Sequence, residues 1–148
     1  YFPMFMDLSE KKVVVVGAGT IAKRRIRSML EFTNHLVVIA PEVNPELRKL
    51  EEEGALTILR KNYEREDIYD AALVIAATND KKTNQEIYTV CKCLGIFVNV
   101  CNDKNRCDFY FPGLVTQGNL VVGVSSSGCD KKQSKEVLQK ISELLEGE

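Results

Sequence analysis

A chain of 148 residues, 45% apolar and 28% charged, has the size and composition of a globular module with its own core, which excludes a disordered tail or a fibre. Twenty basic side chains against twenty-one acidic ones leave a net charge of −1, so no global field draws the chain to nucleic acid or to a membrane surface. The start, Tyr1-Phe2-Pro3-Met4-Phe5-Met6-Asp7, has no basic stretch followed by an apolar core, and no run reaches the roughly 18 apolar residues of a membrane span.

Five cysteines (Cys91, Cys93, Cys101, Cys107, Cys129) include no C-x-x-C pair, which suits reduced thiols better than a disulfide framework or a zinc site. The expectation is a cytoplasmic protein with no metal, no nucleic-acid partner and no membrane contact.

In chain order, Val13-Val14-Val15-Val16 is a β-branched run that stops at Gly17, the pattern of a strand buried on both faces in a parallel sheet. From Thr20 to Phe32, Ile21, Ala22, Ile26, Met29 and Leu30 recur at helical spacing with basic residues between them. Leu36 to Ala40 repeats the buried-strand pattern and Pro41 ends it. Asn44 as N-cap, Pro45 at the first helical position and Gly54 at the end bracket a helix over 45–53. Leu56 to Leu59 is a third strand. A polar connection leads to a fourth strand at Leu73–Ala77, a helix over 81–94 and a fifth strand at Ile96–Val100. Strand and helix alternate, which predicts a Rossmann-type α/β fold with a doubly wound parallel sheet.

The rhythm then changes. Phe109 to Val115 and Leu120 to Ser125 are extended runs joined by Thr116-Gln117-Gly118-Asn119, and a helix over about 132–146 follows. The expected division is a nucleotide-binding domain over 1–112 and a short β-hairpin and helix extension over 113–148.

Gly17-Ala18-Gly19-Thr20-Ile21-Ala22 has the form G-x-G-x-x-A between a strand and a helix. The first glycine permits the tight turn, the second lets a pyrophosphate approach the backbone, and Ala22 lets the helix pack close to the strand. The helix N-terminus offers its N–H groups to the phosphates. The usual ribose-binding carboxylate, about 20 residues on, would fall near Ala40. Glu42 lies two positions further, with no adjoining arginine to receive a 2′-phosphate, so NAD is favoured over NADP. At the end of the fourth strand, Thr78 and Asn79 are placed to line the nicotinamide side of the cofactor, and Asn79 or Asp80 to cap the next helix. His35, the single histidine, reads as a surface or edge residue.

Taken together, these segments resemble the precorrin-2 dehydrogenase family, the NAD-dependent module of siroheme synthases. The resemblance is carried by Tyr1-Phe2-Pro3-Met4-Phe5 with Asp7-Leu8, by Val16 to Ala22 followed by Lys23-Arg24-Arg25, by Ala40-Pro41-Glu42 and by Val74 to Asp80. It continues through Val98-Asn99-Val100, Cys107-Asp108-Phe109-Tyr110-Phe111-Pro112 and Leu120 to Ser125. It implies oxidation of precorrin-2 to sirohydrochlorin with hydride passing to NAD, in a homodimer joined through the extension after the fifth strand. Gly19, Thr20, Ile21, Pro41 and Glu42 are the implied cofactor contacts, with Gly17 shaping the turn. Lys23, Arg24, Arg27, Lys104 and Arg106 are candidates to meet the polycarboxylate substrate, or else form a solvated face.

The position of the family's catalytic aspartate is Asn102, with Asp103 beside it. An amide cannot take a proton as a carboxylate can, and in an extended segment Asp103 would face the opposite way unless a bulge or turn intervenes. The chain also departs from the family at Cys129-Asp130-Lys131-Lys132 and stops at Glu148, where relatives continue into a helical domain. Two readings therefore stay open: an active dehydrogenase using Asn102 or Asp103, and an NAD-sensing or tetrapyrrole-binding module without turnover. A methyltransferase reading of the glycine loop fits less well, because little chain remains for a methyl-acceptor pocket.

Overall fold

The computed structural model describes residues 1–147; Glu148, the expected end of the extension, lies outside the described residues. Five short strands, β1 (Val13–Val16), β2 (Leu36–Ile39), β3 (Thr57–Leu59), β4 (Leu73–Ala76) and β5 (Phe97–Val100), form one all-parallel sheet in the order β3-β2-β1-β4-β5. Every residue of β1, β2 and β4 is buried, which is why these strands are unbroken Val, Leu, Ile and Ala. Each fully buried Val or Ile here is worth roughly 1.5–3 kcal/mol over leaving it in water.

The helices are α1 (Thr20–Leu30), α2 (Pro45–Glu52) and α3 (Lys81–Leu94). They bury Ala22, Ile26 and Met29, then Leu47, then Asn84, Ile87 and Cys91. Helix α1 stops at Leu30, short of the expected Phe32, because the N–H groups of Phe32 and Thr33 both turn back onto the carbonyl of Met29. Asn44 caps α2 by accepting the Leu47 N–H at 3.0 Å, as the sequence predicts. Between β3 and β4 the alternation breaks. Those residues make only a 3-10 turn, Arg65–Ile68, held by a Glu64–Asp67 capping box and anchored by the fully buried Ile68.

Two compact units divide the chain, Phe2–Asp108 and Phe109 onward together with Tyr1. The second unit is an antiparallel hairpin, β6 (Gly113–Gln117) with β7 (Leu120–Val124), and a helix α4 (Lys131–Glu146). The first hairpin strand starts at Gly113 rather than Phe109, directly after Pro112, whose nitrogen has no hydrogen for a ladder. Thr116 and Gln117 belong to β6, and the turn shrinks to Gly118-Asn119, with Gly118 at φ +56° as a two-residue loop demands. Among residues 109–147 none is buried. No helix among the described residues is long and apolar enough to cross a membrane.

Candidate functional site

The strand register sets the site. Val16 pairs with Ile39 and with Ala76, and Ala76 with Val100, so four strands end level at their carboxyl side. The loops that leave them carry Gly17 to Ile21, Pro41 and Glu42, Thr78 and Asn79, and Asn102 and Asp103. The predicted cofactor and catalytic residues therefore lie along one edge of the sheet. Strand order reverses between β1 and β4, the position at which open parallel sheets bind ligands.

Gly17 sits at the reversal. Its N–H extends the ladder to the Ile39 carbonyl at 2.8 Å, and its φ of +113° suits glycine alone. A Cβ at this position would lie 2.4 Å from the carbonyl oxygen of Ala77, so β1 and β4 could not approach as they do. Gly19 is different, since a Cβ there would meet nothing within 4 Å and would project into open space. Gly19 is the N-cap of α1, which starts with no side-chain cap and no acidic residue in its first turn. Uncapped N–H groups and the positive end of the helix dipole face outward at this point, while the fully buried Ala22 seats the helix. The donor set suits a pyrophosphate. Thr20 and Ile21 are exposed beside it.

The Asn44 side chain, besides capping α2, donates to the Ala18 carbonyl at 3.4 Å. It thus ties the glycine loop to the segment carrying Pro41 and Glu42, both of which are exposed between the buried Ala40 and Val43.

After β4 the roles divide. Asn79 is exposed, while Asp80 is the cap of α3, accepting the N–H groups of Lys82 and Thr83 at 3.0 and 3.2 Å. The Thr83 hydroxyl, then the same two N–H groups, hold the Asp80 carboxyl below its ordinary value. Thr78 is drawn inward: its hydroxyl donates to Asn84 Oδ1 at 2.6 Å and accepts the Asp80 N–H at 3.2 Å. Asn84 is 2% exposed, and its amide reaches across to Asn102 Oδ1 at 3.4 Å.

Past β5 the chain is not extended. The Asp103 N–H bonds the Val100 carbonyl at 3.0 Å, so Cys101 and Asn102 form a turn. This is the turn the sequence required for Asp103 to share the edge. The Asp103 carboxylate is nevertheless engaged: it caps the 3-10 turn Lys104–Arg106 by accepting the Asn105 N–H at 3.0 Å and pairs with Arg106 Nε at 3.4 Å. Arg106 also lies 5.9 Å over the Tyr88 ring. Burial pushes the Cys101 thiol up, partly offset by the Arg25 guanidinium beside it, and burial pushes Cys107 up as well, so neither is a ready nucleophile.

Two of the proposed substrate cations, Lys23 and Arg27, are held by Glu46, the former at 2.8 Å. A cavity of about 810 Å³ follows the outer face of α3 past Arg65, Tyr69 and Leu94 to Lys81, Lys82 and Arg106. It touches no residue of the glycine loop. Main-chain donors on an exposed strand-end edge can hold a phosphate without a deep pocket.

A family model described as "Putative NAD(P)-binding" matches residues 4–113. The precorrin-2 dehydrogenase of Bacillus subtilis is 32% identical over 146 residues, which cover 99% of this chain and 90% of that protein. The chain belongs to the precorrin-2 dehydrogenase family. A solved structure named SirC, precorrin-2 dehydrogenase, superposes with a TM-score of 0.75 at 28% identity, covering 97% of this chain and 70% of that one. The siroheme synthase of Mannheimia succiniciproducens is 34% identical over 98% of this chain, which spans only 30% of that protein's length.

Within this precorrin-2 dehydrogenase family member, sequence reading missed Asn84 and the contact of Asn44 with the glycine loop. Asn84 left a signal: it shares the stripe of Ile87 and Cys91 on an amphipathic helix, where a polar residue must find partners inside.

Proposed function

We propose that this chain is an NAD-dependent precorrin-2 dehydrogenase that oxidises precorrin-2 to sirohydrochlorin in siroheme biosynthesis. The observation that carries the reading is the Gly17 turn, closed against Ala77 and leading into an uncapped helix at the strand-order reversal. The extent of likeness to the Bacillus protein supports the substrate. Gly19, Thr20 and Ile21 would hold the pyrophosphate through main-chain N–H groups, and Glu42 would take the ribose hydroxyls. A carboxylate without an adjoining arginine suits a 2′-hydroxyl and repels a 2′-phosphate, which favours NAD over NADP. When bound, NAD supplies the hydride acceptor. The protein's share is to orient the two reactants and to manage a proton at the turn after β5.

The 113–148 extension serves as the dimer contact in this reading. With no buried residue of its own among 109–147, and with Val137 39% and Leu144 71% exposed, it has apolar surface for a second copy to cover.

A second reading rests on one observation: residue 102 is an amide, and the neighbouring carboxylate of Asp103 is occupied as a cap. On that reading the module binds NAD without turnover. Following sirohydrochlorin formation from precorrin-2 and NAD decides between them. Product from the wild-type chain supports the dehydrogenase; NAD binding with no product, restored by Asn102→Asp, assigns the module that has lost its chemistry.

A further inference from the structure

Asn84 makes a hydrogen-bond pattern that can be read without ambiguity. A backbone N–H only donates and a backbone carbonyl only accepts, so its two contacts to the main chain of Thr78 fix which end of its amide is which. Asn84 Oδ1 accepts the Thr78 N–H at 3.3 Å and the Thr78 hydroxyl at 2.6 Å, and Nδ2 donates to the Thr78 carbonyl at 3.0 Å. The remaining hydrogen on Nδ2 points to Asn102 Oδ1 at 3.4 Å. The orientation then propagates. An amide is planar, so with Oδ1 turned toward Asn84 the Nδ2 of Asn102 is turned away from it, with one N–H bond directed opposite to the C=O bond and the other to its side. Asn102 is exposed, in the turn that follows β5 on the edge that carries the cofactor loops.

We propose that Asn84 is a positioning residue that locks the Asn102 amide, so that residue 102 offers hydrogen-bond donors, not an acceptor, to an anionic or carbonyl oxygen of the bound substrate. This rests on the dehydrogenase reading for the identity of the substrate, and on geometry alone for the orientation. It assigns residue 102 the task of holding an oxygen rather than accepting a proton. It also accounts for a buried asparagine in a helix whose other buried side chains, Ile87 and Cys91, are apolar. Its burial at 2% exposure keeps water from competing for the Asn102 contact.

The orientation is tested in the wild-type protein by hydrogen exchange of side-chain amides under NMR. The Asn84 protons should exchange roughly tenfold or more slowly than those of Asn102. In Asn84→Asp, the carboxylate can only accept, so the Asn102 amide should turn over and its protons become roughly tenfold slower. Fast Asn84 exchange, or Asn102 protons already protected in the wild type, overturns the proposal. Asn102→Asp keeps an oxygen for Asn84 but replaces the outward donors with a negative charge. The KM for precorrin-2 should therefore rise about tenfold while the KM for NAD stays within about twofold. A higher kcat with unchanged KM for precorrin-2 overturns the donor role. A wild-type chain with the expected exchange order but no turnover overturns the dehydrogenase reading and leaves the orientation standing.

Discussion

Asn44 donates its side-chain amide to the carbonyl of Ala18, 26 positions earlier, while accepting the N–H of Leu47, so the start of the second helix and the glycine loop are held by one side chain. Removing it should act on both. Asn44→Ala is expected to lower stability by about 1 kcal/mol through the lost cap, and to weaken NAD binding through a looser loop. Asn44→Asp keeps the acceptor and loses only the donor, so it should retain stability and still lose affinity. Chemical denaturation and titration calorimetry on the two variants separate these effects.

Gly17 and Gly19 should respond differently to the same added methyl group. Gly17→Ala forces a side chain to φ +113° and against the Ala77 carbonyl, and should destabilise the fold by roughly 2 kcal/mol or more. Gly19→Ala has open space around its Cβ and a φ of −76°, so the fold should persist with an unchanged melting temperature. Its methyl group projects where the pyrophosphate is expected, so NAD affinity should fall at least tenfold, about 1.4 kcal/mol.

Acid should weaken the start of α3. The folded-state pKa of Asp80 lies below the ordinary carboxylate value, held there by the Thr83 hydroxyl and the N–H groups of Lys82 and Thr83. Its stabilising contribution is therefore complete above the unfolded value and is lost as pH falls through the folded one. Below about pH 4, wild-type stability should drop more steeply with acid than that of Asp80→Asn, which keeps a capping oxygen but cannot titrate there. Urea midpoints measured from pH 6 down to pH 3 test this; parallel curves would refute it.

The extension offers a direct test of assembly. Leu144→Asp places a charge on a residue that is 71% exposed in the single chain, and a monomer should tolerate it with little change in stability. If the extension covers a second copy, sedimentation should show the wild type as a dimer and the variant shifted to monomer.

Much of this architecture was legible because it rests on short-range rules. Four consecutive valines can only be comfortable inside a parallel sheet, and the G-x-G-x-x-A turn follows them directly. The bracket of Asn44 and Pro45 around the start of α2 likewise needed only local chemistry. What stayed hidden depended on distant partners. No periodicity announces that the turn at Cys101 and Asn102 folds back onto Val100, or that Asn84 spans two loops 6 and 18 positions away. The polar connection between β3 and β4 was legible as a stretch without a helix, but its 3-10 turn was not, because Arg65–Ile68 is held by a capping box and one buried isoleucine rather than by an amphipathic stripe.

The offered grip at Gly19, Thr20 and Ile21 is made of peptide groups, which every amino acid carries. Inheritance of such a site does not depend on keeping particular side chains at positions 18, 20 and 21; it depends on smallness at Gly17 and Ala22, where bulk would push the backbone apart, and at Gly19, where it would fill the place of the phosphate. A lineage can therefore rewrite the chemistry of the neighbouring loops, even exchanging a carboxylate for the amide of Asn102, while its hold on the nucleotide passes on intact.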